Sequence, residues 1–305
     1  MGSLSCVMYH YIQNSKDSFY KNFNYLSISK FRKQISYIQK NYTIISPDEA
    51  KNLITLKKFN KNYIWLTFDD GYKSHFDIVL PELRKRNIKA SFFPITNSML
   101  GLEVNQANKL HFLLSKFSKK KNLLILIKKL IVKFTHNNNF CENILKKINL
   151  SSRYDDRETL IIKRLLQRDL DFKLREKVLN KLLKLVDFEK KYILKKMYFD
   201  LNNAKEMIKE GHEIGMHTNY HPWLNYLTFN KQKSEIEKNI KIYKKKKLFF
   251  ENISFCYPYG SFNKNTVNIL KKNKIKFGLT TNPKKLVENF NQRLIPRFDT
   301  NDFNL

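Results

Sequence analysis

Short apolar runs, each ending in polar or turn-forming residues, recur at both ends of the chain: Ser5 to Met8, Ile64 to Phe68, Ala90 to Ile95, Glu213 to Met216, Ile253 to Tyr257 and Phe277 to Thr280. Their length suits strands, and their nearly continuous apolar character suits strands buried on both faces. Between them lie stretches with apolar residues at three- and four-residue spacing: Ser29 to Lys40, Phe76 to Arg86, Asn202 to Glu210, Lys231 to Lys245 and Lys264 to Asn273. Alternation of this kind predicts an α/β fold of parallel strands joined by crossover helices, as a barrel or an open sheet.

The pattern changes between about Gly101 and Tyr198, which is rich in Leu and Lys and nearly free of Gly and Pro. Leu160, Ile161, Leu165, Leu166, Leu170, Leu174, Val178, Leu182, Leu183 and Val186 recur at helical intervals. The expected organisation is therefore a domain made of residues 1–100 and 200–305, interrupted by a helical insertion over 101–199. Lysine-rich amphipathic helices also suit peripheral contact with an anionic membrane surface, although an apolar stripe more commonly packs on its own domain.

A chain of 305 residues is long enough for one large domain carrying an insertion. Its formal net charge of +31 favours anionic ligands, yet the positive residues are spread along the chain and no single arm is basic. No specific nucleic-acid partner is expected. Cys6, Cys141 and Cys256 are far apart and fit neither a disulfide framework nor paired metal spacing, which suits a reducing compartment. The first residues lack a basic segment followed by an unbroken apolar run, and Leu123 to Ile127 is too short to span a bilayer. The expected location is cytoplasmic, extending to the inner face of the membrane.

Chemistry is concentrated in Thr67-Phe68-Asp69-Asp70-Gly71, directly after the apolar run Tyr63 to Leu66. Two adjacent carboxylates at the end of a buried strand are costly unless a metal or a reaction uses them. His217-Thr218-Asn219-Tyr220-His221-Pro222 offers two imidazoles four residues apart, and imidazole with carboxylate is a donor set for zinc. His75 reads as a surface residue and His212 as a turn residue. Trp223 and Tyr72, beside these motifs, are candidates for a sugar-stacking wall or for ordinary core.

With Phe255-Cys256-Tyr257-Pro258-Tyr259-Gly260-Ser261 added, the three motifs in this order resemble the polysaccharide deacetylase family, carbohydrate esterase family four, or NodB homology domain. The resemblance covers roughly residues 4–100 and 200–300 and implies a distorted (β/α) barrel of the NodB-homology type with its site at the strand C-terminal ends. It implies that Asp70, His217 and His221 ligate a divalent metal, zinc first, with cobalt or nickel as alternatives. Asp69 is implied as the general base and the Tyr259 main-chain N–H as the oxyanion donor. The reaction implied is attack of water on an N-acyl carbonyl.

Two departures from the family pattern matter. Many relatives carry an Arg that holds the catalytic Asp where this chain has Cys256; Arg297 is the candidate replacement, or else a surface cation near the terminus. No histidine follows His221 to act as general acid, but Val7-Met8-Tyr9-His10-Tyr11-Ile12 resembles the N-terminal YHxI segment of a permuted branch. His10 is then the acid that protonates the leaving amine, with a structural histidine as the plainer alternative.

These readings converge on a metal-dependent N-deacetylase acting on an amino sugar in a surface-glycan precursor, whether sugar nucleotide, lipid-linked or oligosaccharide. The expected partner is an N-acylated amino sugar, phosphate-bearing forms included. Amino-sugar N-deformylation and a catalytically inactive glycan-binding module are the alternatives.

Overall fold

A computed structural model describes residues 2–14, 16–146, 155–287 and 290–302. The chain falls into two compact units, one of Met1–Asn14, Tyr25–Glu103 and Leu194–Leu305, the other of Ser15–Asn24 and Val104–Ile193.

Among the described residues, the first unit has ten strands: β1 (Ser3–Tyr9), β2 (Ile12–Gln13), β3 (Leu26–Ser27), β4 (Thr43–Ile44), β5 (Asn62–Asp70), β6 (Ser91–Pro94), β7 (Glu213–Ile214), β8 (Ser254–Cys256), β9 (Phe277–Leu279) and β10 (Phe298–Asp299). A parallel sheet runs in the order β10-β1-β5-β6-β7, with β4 also beside β5. Strands β8 and β9 form a separate parallel pair. Single parallel bridges, Met216 to Phe255 and Leu279 to Ile295, join that pair to the ends of the sheet and close a distorted barrel.

The twofold alternation of strand side chains divides the barrel into two apolar layers. Ile64, Leu66 and Phe68 of β5 join Val7, Phe92, Phe255 and the helix residues Phe31, Leu83, Met207 and Ile236 in the layer beneath the helices. Trp65 joins Leu4, Cys6, Phe93, Cys256, Leu279 and Ile295 in the barrel interior. Continuing that parity carries Thr67 and Asp69 upward on the Trp65 face and places Arg297 on the Ile295 face.

The expected helices form at Ile28–Asn41, Leu80–Lys85, Leu201–Lys209, Phe229–Lys245 and Lys264–Lys272. Helix Pro47–Leu56 was not expected from the apolar spacing, although its Ser46/Glu49 capping box and N-terminal proline are start signals legible in the sequence.

The second unit contains helices Gln106–Lys116, Lys120–Thr135 and Phe172–Leu183. Leu123, Ile127, Ile131, Leu165, Val178 and Leu182 are buried. Relative to the expected insertion over 101–199, this unit also takes in the segment before Tyr25. Phe19 packs on Phe112 at 6.0 Å, and the Asn22 side-chain amide donates to the Ser115 carbonyl at 3.0 Å. The helical expectation over 147–154 lies outside the described residues. No helix among the described residues is long and apolar enough to cross a membrane.

His212 is buried at the start of β7, where its Nδ1 accepts from the Ala90 N–H at 3.1 Å. Burial pushes this imidazole down to about 4. The unfolded chain then binds the proton more readily below its ordinary value of 6.5, so stability falls as pH drops from 6.5 towards 4. His212→Asn keeps an acceptor near the Nδ1 position and removes the titration. Urea midpoints measured between pH 7 and 4.5 should therefore fall less steeply in the variant, by up to about 1.4 kcal/mol per pH unit. Parallel midpoint curves for the two proteins would refute this.

Candidate active site

Strand β5 ends on Asp69 and Asp70, and Gly71 turns the chain away with a φ of 75°. A Cβ at Gly71 would lie 2.6 Å from the Pro94 Cβ, so the turn requires glycine for both conformation and space. Asp70 itself adopts a φ of 70°, which departs from strand geometry. Thr218 (62°), His221 (55°) and Tyr259 (57°) share this left-handed region. It is disfavoured for side chains with a Cβ and most of all for a β-branched threonine.

Hydrogen bonds hold the strained His217–His221 loop. The Thr218 hydroxyl accepts from the His221 N–H at 3.0 Å, and the Thr218 carbonyl accepts from the Thr96 N–H at 3.0 Å. A Glu235 carboxylate oxygen accepts from the N–H groups of Asn219 and Tyr220 at 2.7 and 2.9 Å. Glu235 and its buried neighbour Asn239, which donates to Thr96 and Asn219, were missed in the sequence. Nothing in a charged helical pattern marks one glutamate as the loop's anchor.

Asp70, His217 and His221 converge. Each imidazole Nε2 lies 3.5 Å from Asp70 Oδ1. The His217 Nδ1 must carry its proton, because it donates to the Cys256 carbonyl at 2.8 Å. In neutral His217, Nε2 therefore presents a lone pair to a carboxylate oxygen, a contact that needs a cation or a second proton. Asp70 Oδ1 and His221 Nδ1 are buried without a hydrogen-bond partner among the described residues. Burial, reinforced by the charge of His217, pushes His221 down to about 3. This donor set fits a divalent transition metal. Asp69, His217 and Cys256 also cluster, but there Asp69 is engaged by arginine and burial pushes the Cys256 thiol up.

Asp69 makes a bidentate pair with Arg297, from Nη1 to Oδ1 at 2.8 Å and from Nη2 to Oδ2 at 2.7 Å. Arg297 is 0% exposed and is held further by the Thr280 carbonyl at 2.9 Å and Thr67 Oγ1 at 3.1 Å. The surface-cation reading of Arg297 is excluded. Burial pushes the Asp69 carboxyl up, but the charge and hydrogen bonds of Arg297 outweigh it and hold the group well below the usual carboxylate range. Cys256 Sγ sits 3.0 Å from Arg297 Nη2 and 3.4 Å from Asp69 Oδ2, on the rim of this pair.

His10 lies just beyond β1, with its Nε2 3.9 Å from Asp69 Oδ2 and its side chain 41% exposed. Two expectations are corrected. His75 is not a surface residue: it is 0% exposed and reaches the His10 carbonyl at 2.7 Å. Tyr72 is 1% exposed and so no part of a wall; its hydroxyl donates to Asp70 Oδ2 at 2.6 Å. His75 lies on the same buried helical face as Val79 and Leu83, four and eight residues on, and Tyr72 precedes the helix in a single bridge to Tyr198. Trp223 stacks on Tyr259 at 4.3 Å and 5°, and Tyr259 packs edge-on against His221 at 4.4 Å.

Fold and site together define a parallel barrel with a three-donor cluster and a second, arginine-paired carboxylate at its strand ends. Residues 56–111 and 190–278 match the model of the family described as Polysaccharide deacetylase. YxkH of Bacillus subtilis (strain 168), which carries the polysaccharide deacetylase name, is 32% identical over 100 residues, or 32% of this chain and 33% of that protein's length. Among solved structures, the deacetylase PplD of Streptococcus pyogenes in complex with acetate is similar in fold, with a TM-score of 0.60 and 18% identity over 97% of this chain and 92% of that one. IcaB from Ammonifex degensii gives 0.58 and 15% over 98% and 91%. The BpsB deacetylase domain from Bordetella bronchiseptica gives 0.55 and 14% over 97% and 95%. Over those two segments the chain is similar in sequence to the polysaccharide deacetylase family, and its fold is similar to that of solved deacetylases.

Proposed function

We propose that the protein is a metal-dependent N-deacetylase that hydrolyses the N-acetyl group of an amino sugar in a surface-glycan precursor. The observation that carries this reading is the division of adjacent carboxylates: Asp70 faces two imidazoles, while Asp69 is fixed by Arg297 beside them. Asp70, His217 and His221 would hold the cation, zinc first, which supplies Lewis acidity to the carbonyl and acidifies water.

The remaining work falls to the chain. Asp69 takes the proton of the attacking water as the new C–O bond forms. Arg297 keeps that carboxylate ionised and aimed. The Tyr259 N–H donates to the developing oxyanion. The C–N bond then breaks as His10 gives its proton to the leaving nitrogen, releasing acetate and the free amine. A sugar is favoured as the substrate because the rings of Tyr259 and Trp223 lead from His221 towards Tyr226, which is 60% exposed. These are apolar faces of the kind on which a pyranose lies. The three buried cysteines, all unpaired, favour the cytoplasm.

The reading is tested by following amine release from N-acetyl and N-formyl amino sugars, free, nucleotide-linked and oligomeric, after chelation and after zinc is returned. Release from an N-acetyl substrate should stop with chelator and return with zinc. Release indifferent to chelator, or confined to N-formyl substrates, defeats the proposal.

A further inference from the structure

His75 takes no part in the chemistry above, yet its placement is specific. Its ring is wedged among Phe68, Tyr72 and Phe92, with centroids 5.4, 5.5 and 6.0 Å away. A phenylalanine or leucine would suit such surroundings. Instead the position holds an imidazole whose Nε2 lies 2.7 Å from the His10 carbonyl, an acceptor that obliges Nε2 to carry the proton. The other nitrogen, Nδ1, is left buried with no hydrogen-bond partner among the described residues. An unpaired buried nitrogen is a net cost to folding, so packing alone does not account for histidine here. Burial also pushes the ring down to about 4, which keeps it neutral and Nε2 protonated as a donor across the ordinary pH range.

The carbonyl it engages belongs to the segment between β1 and β2 that presents His10. That segment is pinned at two further points: the Tyr11 ring stacks on Tyr72 at 4.0 Å, and the Tyr11 carbonyl accepts from the Leu26 N–H at 3.0 Å. The His10 side chain itself is partly exposed and reaches to 3.9 Å from Asp69. How far that imidazole extends over the site is therefore set by its main chain. The π-helical turn His75–Val79 places the anchoring ring under that main chain.

We propose that His75 is a positioning residue for His10, holding the His10 carbonyl so that the His10 imidazole stands where the leaving nitrogen must be protonated. This rests on the deacetylase reading and on His10 as its general acid. A displacement of about an ångström in such a group lowers rate by up to about 100-fold.

The test uses leaving groups of different basicity on the zinc-loaded protein. An N-acetylglucosamine oligomer requires the departing amine to be protonated, whereas 4-nitrophenyl acetate releases a stable phenolate without a proton. His75→Phe fills the apolar site without a donor and should lower kcat on the amide by about 10- to 100-fold, with KM within about threefold and the ester rate within about threefold. His75→Gln, which can donate again, should recover most of the loss and covers the case in which His75→Phe folds poorly. In the His10→Ala background, His75→Phe should cost nothing further. Equal losses on amide and ester, or additive losses in the double variant, overturn the proposal while leaving a deacetylase in place. A wild-type protein that releases amine from no acetylated substrate removes the deacetylase reading, and the role of His75 with it.

Discussion

Asp69→Asn is expected to lower kcat for amine release by about 10³-fold, within the range by which a positioned general base accelerates proton transfer. The amide can still accept from Arg297 but takes no proton from water. Zinc stoichiometry should be unchanged, because Asp70, His217 and His221 are untouched. The same exchange removes the counter-charge of a guanidinium that is 0% exposed, so the variant should also melt at a lower temperature. Activity, metal content and melting temperature are read on one preparation. A kcat within threefold of wild type would end the case for Asp69 as the base, and a protein with no activity in either form would point to an inactive binding module.

Arg297→Met is the converse experiment and is expected to be the most destabilising single change in the barrel. Methionine fills much of the arginine volume but strands the Asp69 carboxylate in a dry interior, a loss of about 3–5 kcal/mol for a broken buried pair. In the wild type, Asp69 is held below the ordinary carboxylate range, so its contribution to stability is present above about pH 4 and is lost as pH falls further. With the guanidinium gone, burial, the largest influence, raises the pKa against only the weaker charge effects of His217 and His10. The variant should therefore gain stability on acidification from pH 7 to 5, and the acid limb of its rate profile should move to higher pH. Urea midpoints at the two pH values and a pH–kcat/KM curve decide it. An unshifted acid limb would show that Arg297 does not set the ionisation of Asp69.

Much of the barrel was legible because its strands are buried on both faces and read as plain apolar runs. The acid pair at the end of β5 was legible for the same reason: charges stand out after Ile64-Trp65-Leu66. Arg297 could be nominated but not chosen, since a lone arginine near a terminus looks the same on a surface as in a core. Its parity with Ile295 separates the two, and that parity is only defined once β10 is seen to pair with β1. His75 reads as a surface residue because it matches no ligand position of the motifs, although Val79 and Leu83, four and eight residues on, share its buried face. Glu235 was invisible because its work is done for main-chain N–H groups of a distant loop.

The two single-residue bridges that close the barrel set where the site can exist. Met216 makes one seam opposite Phe255, its N–H donating to the Ser254 carbonyl at 2.9 Å and its carbonyl accepting from the Cys256 N–H at 2.8 Å, and His217 is the next residue along. Leu279 and Ile295 make the other, and Arg297 lies two residues beyond it. One donor imidazole and the partner of Asp69 thus each hang from a joint between two arcs of strands. A chain whose arcs have formed but not met would have most of its helices and strands in place and no site at all. Assembly of the site therefore reports on barrel closure: only molecules joined in register at both seams bring the reacting groups together.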